Sequence, residues 1–360
     1  MMKRKVILCV CVAAAALFAI GSLVVRGTVK APFYDKGAFA LSKYQEEIEA
    51  SPSDRNVGQI DDAETAVAKA KELWLEKYSA DDRKRILERR FKEISERYAD
   101  IIPSFDIINE SASNYVVGKE RLFEDYDAFS LELGGKYFKN NKNIINETNL
   151  AIWHNYTHNQ GKYMAFNMQL KEFLRMGLPI DEIGLQYHIF EKEENFENNK
   201  TFLNAKYMME ILDIFDAYNL PMHISEVTVP CYSGRLIQNE EIQAELTEIL
   251  YTTWFATRNM KSIVWWNLVD GYAAYAPLGS EQGENRYAAG LVHFDMTKKP
   301  SYNVLDRLIN SEWKTNISDA VSGKEYSFKG FYGEYEIEVK TANGTKKHTV
   351  MLDGSKEITL

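Results

Sequence analysis

Cysteine is scarce in this chain of 360 residues, which has three, and two of them, Cys9 and Cys11, lie in an apolar segment at the N-terminus. The remaining thiol, Cys231, has no partner for an internal disulfide in the rest of the chain, and no cysteine spacing indicates a metal site. An excess of positive charge is lacking too. The formal net charge is −9, so the composition gives no basic footprint for nucleic acid.

Apolar and aromatic residues are plentiful. Hydrophobic residues make up 45% of the chain, which excludes a disordered protein and is enough for one large domain with additions. The 21 Tyr, 18 Phe and 6 Trp suit a carbohydrate-facing surface and a large core equally well, so they do not decide the function.

Residues 1–27 have the pattern of an export signal. Lys3, Arg4 and Lys5 precede an apolar run over residues 6–25. The alanines and the Gly21-Ser22 pair favour a cleaved signal, but a run of about 20 residues is also long enough to be an uncleaved membrane anchor. We therefore expect a secreted or otherwise extracytoplasmic protein, held to the membrane in the second case.

The rest of the chain divides by pattern into three parts. Residues 28–72 are polar and mixed and are left unassigned, although a helical pattern begins near residue 61 and continues, with a new start at Ser79, to residue 98. Residues 73–310 alternate apolar runs with amphipathic helices, and residues 311–360 alternate apolar and polar residues between glycine turns. The last part predicts a small antiparallel β module of three or four strands.

The alternation in residues 73–310 predicts an α/β fold with parallel strands, of the (β/α)8 TIM-barrel type. The predicted strands are residues 105–109, 150–156, 182–190, 221–229 and 262–270, and the helices between them are residues 161–177, 199–219 and 239–259. Polar residues cluster near the carboxyl end of each strand, which is the rim where barrels build their active sites.

Two carboxylic acids end strands of this predicted barrel. Glu110 follows "FDIIN" and Glu226 ends "HISE", so a barrel would bring both to one rim. Two such carboxylates on either side of a sugar ring are the machinery of glycoside hydrolysis. A glutamate at a strand end is more often a solvated or ion-paired residue. The neighbouring Asn109, Gln186 and His188, with a tryptophan pair at 265 and 266, favour the catalytic interpretation.

The motifs resemble those of glycoside hydrolase family 10, the retaining endo-β-1,4-xylanases. "FDIINE" resembles the family's WDVVNE, "GLPIDEIGLQYHI" its GVPIDGIGLQSHL, and "PMHISEV" its nucleophile strand, which ends in ITELD. "VWWNLVDGY" and "LVHFDMTKKPSYNVL" are similar to FWGVTDKYSW and LLFDENYNPKPAYDAL. The order and spacing agree over residues 73–310.

The resemblance implies a role for each matching residue. Glu110 would be the general acid/base and Glu226 the nucleophile of a double displacement, with about 5–5.5 Å between the carboxyl groups. Neither a metal nor an organic cofactor is implied, and the partner would be xylan or a related β-1,4-glycan. The substrate-binding residues would be Asn109 at the sugar 2-hydroxyl, Gln186, His188 against Glu226, Trp266 as an aromatic wall, and Tyr156, matched to the tyrosine of an NDY motif.

The chain departs from the family pattern in three places. Val227 and Thr228 stand where the family has Leu and Asp, and "DGYAAY" lacks the tryptophan of DKYSW. Nothing in residues 28–72 resembles the first three barrel strands, which carry TPENEMKW and HTLVWHSQ. We therefore predict a barrel that is incomplete at its N-terminal side.

Three hypotheses remain open on the sequence. The chain is an active retaining xylanase, a degenerate member that binds xylan or β-glucan with little turnover, or a truncated product without function. Six Asn-x-Ser/Thr triplets occur, one of them at Asn109 itself. A glycan there would block the predicted site, so we expect a bacterial protein in which these triplets are not used.

Overall fold

A computed structural model of the protein describes residues 8–11, 21–28, 77–118, 121–153, 163–190, 203–231, 240–273, 276–322 and 325–359. The chain forms two compact units. The larger, called the parallel unit, spans Ser53–Tyr302. The smaller, called the β unit, combines Asn303–Leu360 with Met1–Pro52 and contains the first two strands, β1 (Leu8–Cys11) and β2 (Gly21–Thr28).

The parallel unit is built on a five-stranded sheet. Its strands lie in the same order in space as in the chain, and each pairs in parallel with the next. They are β3 (Ser104–Asn109), β4 (Lys142–Glu147), β5 (Glu182–His188), β6 (Met222–Thr228) and β7 (Met260–Trp265). Since neighbouring strands are parallel, all their carboxyl ends meet at one edge of the sheet.

Most of the described helices lie between successive strands of this sheet, as parallel pairing requires, but the first precedes β3 and those after residue 265 follow β7. They are α1 (Ala80–Tyr98), α2 (Ser111–Val116), α3 (Tyr126–Tyr137), α4 (Asn149–Ile152), α5 (Ala165–Arg175), α6 (Ala205–Asp216), α7 (Glu240–Phe255) and α8 (Pro300–Arg307), with a 3₁₀ turn at Gly283–Tyr287 and a π-helical turn at Leu308–Glu312. α1 begins with a capping box, in which the Ser79 hydroxyl accepts from Asp82 N and the Asp82 carboxylate accepts from Ser79 N.

The core of the parallel unit lies between the sheet and its helices. All seven residues of β5 are buried, which is typical of a parallel strand covered on both faces. Tyr187 of β5 packs edge-on against Trp254 of α7, with ring centres 5.0 Å apart, and against Trp153, at 5.2 Å. These large side chains attach the outer helices to the middle of the sheet.

The predicted α/β fold of barrel type is confirmed, and it is partial. Among the described residues the sheet has five strands where a complete barrel has eight. Within the same residues β3 pairs only with β4, and β7 only with β6. The predicted site residues in the described part of the chain lie on or next to four of these strands, β3, β5, β6 and β7.

One predicted strand is wrong. Residues 150–156 were predicted to be the second strand, but that strand is β4, at Lys142–Glu147, and Asn149–Ile152 form the short helix α4. Ala151 and Ile152 are fully buried, so the run is apolar because it packs in the core, and a short buried run does not distinguish helix from strand. Tyr156 lies outside the described residues.

The β unit is formed by two small sheets. Its C-terminal strands are β8 (Thr315–Val321), β9 (Glu325–Phe328), β10 (Gly333–Thr341), β11 (Gly344–Leu352) and β12 (Lys356–Thr359). One sheet has the antiparallel order β11-β10-β2-β8, and the other has the order β12-β1-β9. Residues 311–360 therefore contain five strands instead of the predicted three or four.

The N-terminal strands complete these sheets. β2 pairs with both β8 and β10, for example through Val25 opposite Ile317 and Ile337. A cluster of buried side chains forms the core of the β unit: Phe328, Tyr335, Ile337, Val339 and Leu352. In the part of the chain that the structure describes, no helix is long and apolar enough to cross a membrane. The export signal predicted for residues 1–27 stays a prediction.

Candidate active site

Glu110 lies where β3 meets α2, and its backbone has an unusual conformation. Its φ of 57° is in the left-handed region, which non-glycine residues rarely occupy and which is often found at functional sites. Glu110 N donates to Asn146 O of β4 over 2.9 Å, so β3 stays attached to the sheet up to this turn. The turn places Asn109 and Glu110, which follow the buried Ile107 and Ile108, at the carboxyl edge of the sheet.

Glu226 reaches the same edge from β6. Its carboxylate accepts from Asn146 Nδ2 over 3.4 Å and lies 3.2 Å from His188 Nε2. The side chain keeps 19% of its surface exposed, so one side remains open to a ligand. Two nitrogens, one from each of the neighbouring strands β4 and β5, therefore face the Glu226 carboxylate.

Amide side chains connect the two glutamates. Gln186 Nε2 donates to Glu110 Oε1 and to Asn109 Oδ1, each over 3.1 Å. Asn146 Nδ2 donates to the same Asn109 oxygen over 2.9 Å, and also to Glu226. One continuous chain of hydrogen bonds therefore runs from Glu110 through Gln186, Asn109 and Asn146 to Glu226.

Asn146 is itself held in place. Its Oδ1 accepts from Ser225 Oγ over 2.6 Å, which fixes the amide so that Nδ2 faces Asn109 and Glu226. Gly184 of β5 lies directly beside it, and a Cβ at that position would come within 2.3 Å of Asn146 Oδ1. The position of Asn146 thus depends on the absence of a side chain at residue 184.

His188 is enclosed on several sides. Its Nδ1 lies 2.8 Å from Thr228 Oγ1, and its Nε2 faces Glu226. Phe190 stacks on the ring at 4.5 Å, and Trp266 contacts it edge-on at 6.0 Å. Trp266 is fixed in turn because its Nε1 donates to Glu284 Oε2 over 2.8 Å.

Glu147 is a buried carboxylate next to the site. Its oxygens accept from four donors: the N–H groups of Ala112, Ser113 and Thr148 and the Ser113 hydroxyl. Burial raises the pKa of Glu147, and the hydrogen bonds from Ser113 and the backbone offset part of that rise. Since Ala112 and Ser113 directly follow the Glu110 turn, Glu147 anchors the turn to β4.

Asp106 is a second acidic group near Glu226. Desolvation and, after it, the negative charge of Glu226 raise the pKa of Asp106 to about 6, while His223 acts in the opposite direction. Although many protein atoms lie near Asp106, the residue keeps an exposed surface. Solvent therefore partly screens these effects on its pKa.

A separate ionic network holds the amino ends of β5, β6 and β7. Glu182 accepts from Lys261, and its Oε2 lies 2.7 Å from His223 Nε2. Burial acts to raise the pKa of Glu182, but the bonds from His223 and Lys261 outweigh it and leave the pKa below its usual range. This network is at the far end of the strands and supports the sheet.

The structure brings six of the seven predicted site residues to one place: Asn109, Glu110, Gln186, His188, Glu226 and Trp266. Tyr156 is outside the described residues. The prediction missed Asn146 and Glu147, although "NIINE" at 143–147 repeats most of "DIINE" at 106–110 and would have indicated a second strand with the same ending. In the described ranges, no cluster of three or more His, Cys, Asp or Glu side chains could hold a metal ion.

Five parallel strands thus bring two glutamates, joined by hydrogen bonds through amide side chains, to one carboxyl edge of the sheet. The model of the glycosyl hydrolase family 10 matches residues 69–307, and the chain belongs to this family.

Known relatives agree with this assignment. Endo-1,4-beta-xylanase A of Caldicellulosiruptor saccharolyticus is 22% identical over 201 residues, covering 51% of this chain and 54% of that protein. The chain thus spans about half the length of this curated relative. Xylanase 10B of Thermotoga maritima has a similar fold, with a TM-score of 0.52, 20% identity and coverage of 65% of this chain and 68% of that one. Xylanase 10B of Thermotoga petrophila, solved with xylobiose, gives a TM-score of 0.52 at 19% identity and covers 65% and 68%.

Proposed function

We propose that the chain is a retaining glycosidase that cleaves internal β-1,4-xylosidic bonds of xylan. The observation that carries this proposal is the amide chain that joins Glu110 to Glu226 at one edge of the sheet. The family membership supports it. The xylobiose bound to the Thermotoga petrophila enzyme supports a xylan-type substrate.

The surroundings of the two carboxyl groups fit different roles. Glu226 faces two nitrogen donors, Asn146 and His188, which suits an ionised nucleophile. Glu110 receives its hydrogen bond from Gln186 on Oε1, so Oε2 can carry the proton that goes to the leaving oxygen. Two carboxyl groups with unlike surroundings are the pattern that separates acid from nucleophile in glycosidases.

The reaction would take two steps. In the first, a Glu226 oxygen bonds to the anomeric carbon while the glycosidic bond breaks, and the Glu110 proton passes to the departing sugar oxygen. In the second, the Glu110 carboxylate takes a proton from water, whose oxygen displaces Glu226 from the anomeric carbon. Each step inverts the configuration at the anomeric carbon, so the two steps together retain it.

The other predicted residues would hold the sugar. Asn109 accepts both of its hydrogen bonds through Oδ1, so its Nδ2 hydrogens can donate to the 2-hydroxyl at the point of cleavage. Trp266, fixed by Glu284, would form an aromatic wall on one side of the ring. Hydrogen bonds at the 2-hydroxyl strengthen in the transition state, so Asn109 would contribute to turnover.

The test measures release of reducing ends from xylan. Wild type should be active, and Glu226→Gln and Glu110→Gln should each lower kcat by about a thousandfold or more. Glu132→Gln, the same change at an exposed position of α3, should keep wild-type activity. The first product observed by NMR should be the β-anomer. Equal activity of wild type and Glu226→Gln, or an α-anomer as first product, would overturn the proposal.

A second candidate is a protein that binds xylan or β-glucan with little turnover. It is favoured by the match to only 54% of the curated xylanase and by the five described strands of a fold that has eight. In this case wild type and Glu226→Gln would bind xylan with similar affinity and neither would release sugar. No binding at all would exclude this candidate as well.

A further inference from the structure

Thr228 contacts the histidine beside the proposed nucleophile. It is the last residue of β6, two positions after Glu226, and only 2% of its surface is exposed. Its register partner on β5 is His188, and Ile189 N donates to Thr228 O over 3.0 Å. The backbone therefore fixes the 2.8 Å contact between the Thr228 hydroxyl and His188 Nδ1.

The hydrogen-bond partners of the imidazole limit where its protons lie. An ionised Glu226 can only accept, so the Nε2 that faces it at 3.2 Å must carry a proton. In a neutral imidazole the other nitrogen is then an acceptor. Thr228, unlike a carboxylate, has a hydroxyl proton to donate to that nitrogen, so the ring is satisfied at both ends without a positive charge.

We propose that Thr228 is a positioning residue that holds His188 as the neutral tautomer with its proton on Nε2. The effect on catalysis rests on the proposed function of Glu226 as nucleophile. A neutral N–H orients the Glu226 carboxylate without pairing it with a full positive charge, and so leaves its negative charge available for attack. In this chain, Thr stands where the family motif has Asp, a carboxylate that would instead require a proton on Nδ1.

The rest of the enclosure is consistent with an uncharged ring. Phe190 stacks on one face at 4.5 Å, and Trp266 approaches edge-on. Among charged side chains in the described residues, Glu226 bonds to the ring directly, while Glu284 is engaged by Trp266 and Asn267. Asp106 interacts with Glu226 through its charge and, within the described residues, makes no hydrogen bond to the imidazole.

The tautomer can be observed by NMR of protein labelled with ¹⁵N-histidine, because protonated and unprotonated ring nitrogens have different shifts. The His188 signals are assigned from their loss in His188→Asn. At pH 7 wild type should show a protonated Nε2 and an unprotonated Nδ1. Thr228→Ser, which keeps the hydroxyl, should give the same pattern.

Two further variants should change the pattern. Thr228→Val removes the hydroxyl at nearly constant volume, so Nδ1 loses its hydrogen-bond donor and its ¹⁵N signal should shift away from the wild-type position, and Thr228→Asp should protonate both nitrogens. On xylan, Thr228→Val should lower kcat about tenfold with little change in KM, and Thr228→Ser should restore it. The pH profile of kcat should shift in Thr228→Asp and be unchanged in Thr228→Ser.

The two proposals fail in different ways. An Nδ1-protonated or doubly protonated wild-type ring, or an Nδ1 signal that is the same in Thr228→Val as in wild type, would overturn the role of Thr228 whatever the activity. A protein inactive on xylan that still shows the expected tautomers would leave the role of Thr228 standing and overturn the proposed function.

Discussion

At the scale of single residues, Glu147 contributes both to the stability of the protein and to the position of Glu110. Glu147→Gln replaces one of the two carboxylate oxygens by an NH₂, which would face a backbone N–H donor in either position, that of Ala112 at Oε1 or those of Ser113 and Thr148 at Oε2. We expect the free energy of unfolding to fall by about 2 kcal/mol, since bonds to a charged group are lost in a buried place. Activity should fall as well, because the Glu110 turn loses its anchor.

Urea unfolding of wild type and Glu147→Gln measures the first effect, and kcat on xylan the second. Glu132→Gln, on the exposed face of α3, is the matched control and should change the free energy by less than about 0.5 kcal/mol. A Glu147→Gln protein as stable and active as this control would contradict the anchoring role.

Asp106 makes a prediction about pH. Its pKa is raised to about 6 in the folded protein, by desolvation and then by Glu226, against about 4 in an unfolded chain. The folded protein therefore binds the Asp106 proton more tightly than the unfolded chain does. The stability that this proton binding contributes is fully present below pH 4 and is lost as pH rises through 6. Asp106→Asn should remove this dependence and be more stable than wild type at pH 7, by about 1 kcal/mol after screening.

The measurement is urea unfolding of wild type and Asp106→Asn at several pH values from 4 to 7.5. The difference between the two free energies should grow across this range. Asp295→Asn is the control, because the pKa of Asp295 is lowered by hydrogen bonds from Thr297 and its dependence has the opposite sign. If the difference in free energy of unfolding between wild type and Asp106→Asn did not change with pH, the raised pKa of Asp106 would be contradicted.

Single residues also show what the sequence could predict of the site. Glu110 and Glu226 were found because each follows an apolar run, and Gln186 and His188 because they end another. Asn146 and Glu147 were missed because half of the six residues of β4 are polar or charged and buried, as Asn143, Asn146 and Glu147. Their burial is stabilised by partners on other strands, and those contacts are not visible along the chain.

At the scale of elements, α1 depends on its N-terminal cap. The Ser79 hydroxyl accepts from Asp82 N over 3.2 Å and satisfies a backbone donor that has no partner within the helix. Ser79→Ala should lower the free energy of unfolding by about 1 kcal/mol. Ser95→Ala, in the same helix, is the control, since the Ser95 hydroxyl bonds only to Lys92 O in the last part of the helix.

The comparison uses the urea midpoints of the two serine variants, provided that the free energy of unfolding falls with the same slope against urea in both. Ser95→Ala should stay within about 0.5 kcal/mol of wild type. An equal loss in both variants would mean that the cap contributes nothing beyond an ordinary exposed serine.

The elements with long amphipathic patterns were predicted best. α5, α6 and α7 lie within the predicted helices at 161–177, 199–219 and 239–259. The short run at 150–156 failed because α4 has only four residues, about one helical turn, which is too short to show a helical period. Length, more than composition, decided which elements the sequence could define.

At the scale of the whole molecule, the β unit has a core of its own. Ile337 is fully buried within it, between Val25 of β2 and His348 of β11 in register. Ile337→Ala should lower the free energy of unfolding by about 2–5 kcal/mol, through lost burial and a cavity. Ile309→Ala, at a residue 47% exposed, should have a much smaller effect.

Thermal unfolding of the full chain followed by circular dichroism measures both isoleucine variants. Xylan hydrolysis at 25 °C gives a second readout, and it should be the same for Ile337→Ala and wild type because the proposed site lies in the parallel unit. A midpoint for Ile337→Ala equal to that of Ile309→Ala would contradict the assignment of Ile337 to the core.

The number of strands in the sheet could be anticipated only in part. The missing motifs of the first three barrel strands predicted an incomplete barrel, and five parallel strands are described. The pairing of β1 and β2 with C-terminal strands was not predicted, because an apolar run shows that residues are hidden from water without showing which partner hides them.

Gly184 has a consequence for how this protein can change over generations. Any side chain there would displace Asn146, whose Nδ2 links Asn109 to Glu226. In a random library selected for xylan hydrolysis, substitutions at residue 184 should therefore be tolerated as poorly as substitutions at Glu110 or Glu226. In a lineage that drifts without selection, one substitution at this residue, which has no chemistry of its own, would disrupt the site while both carboxylates were still in place.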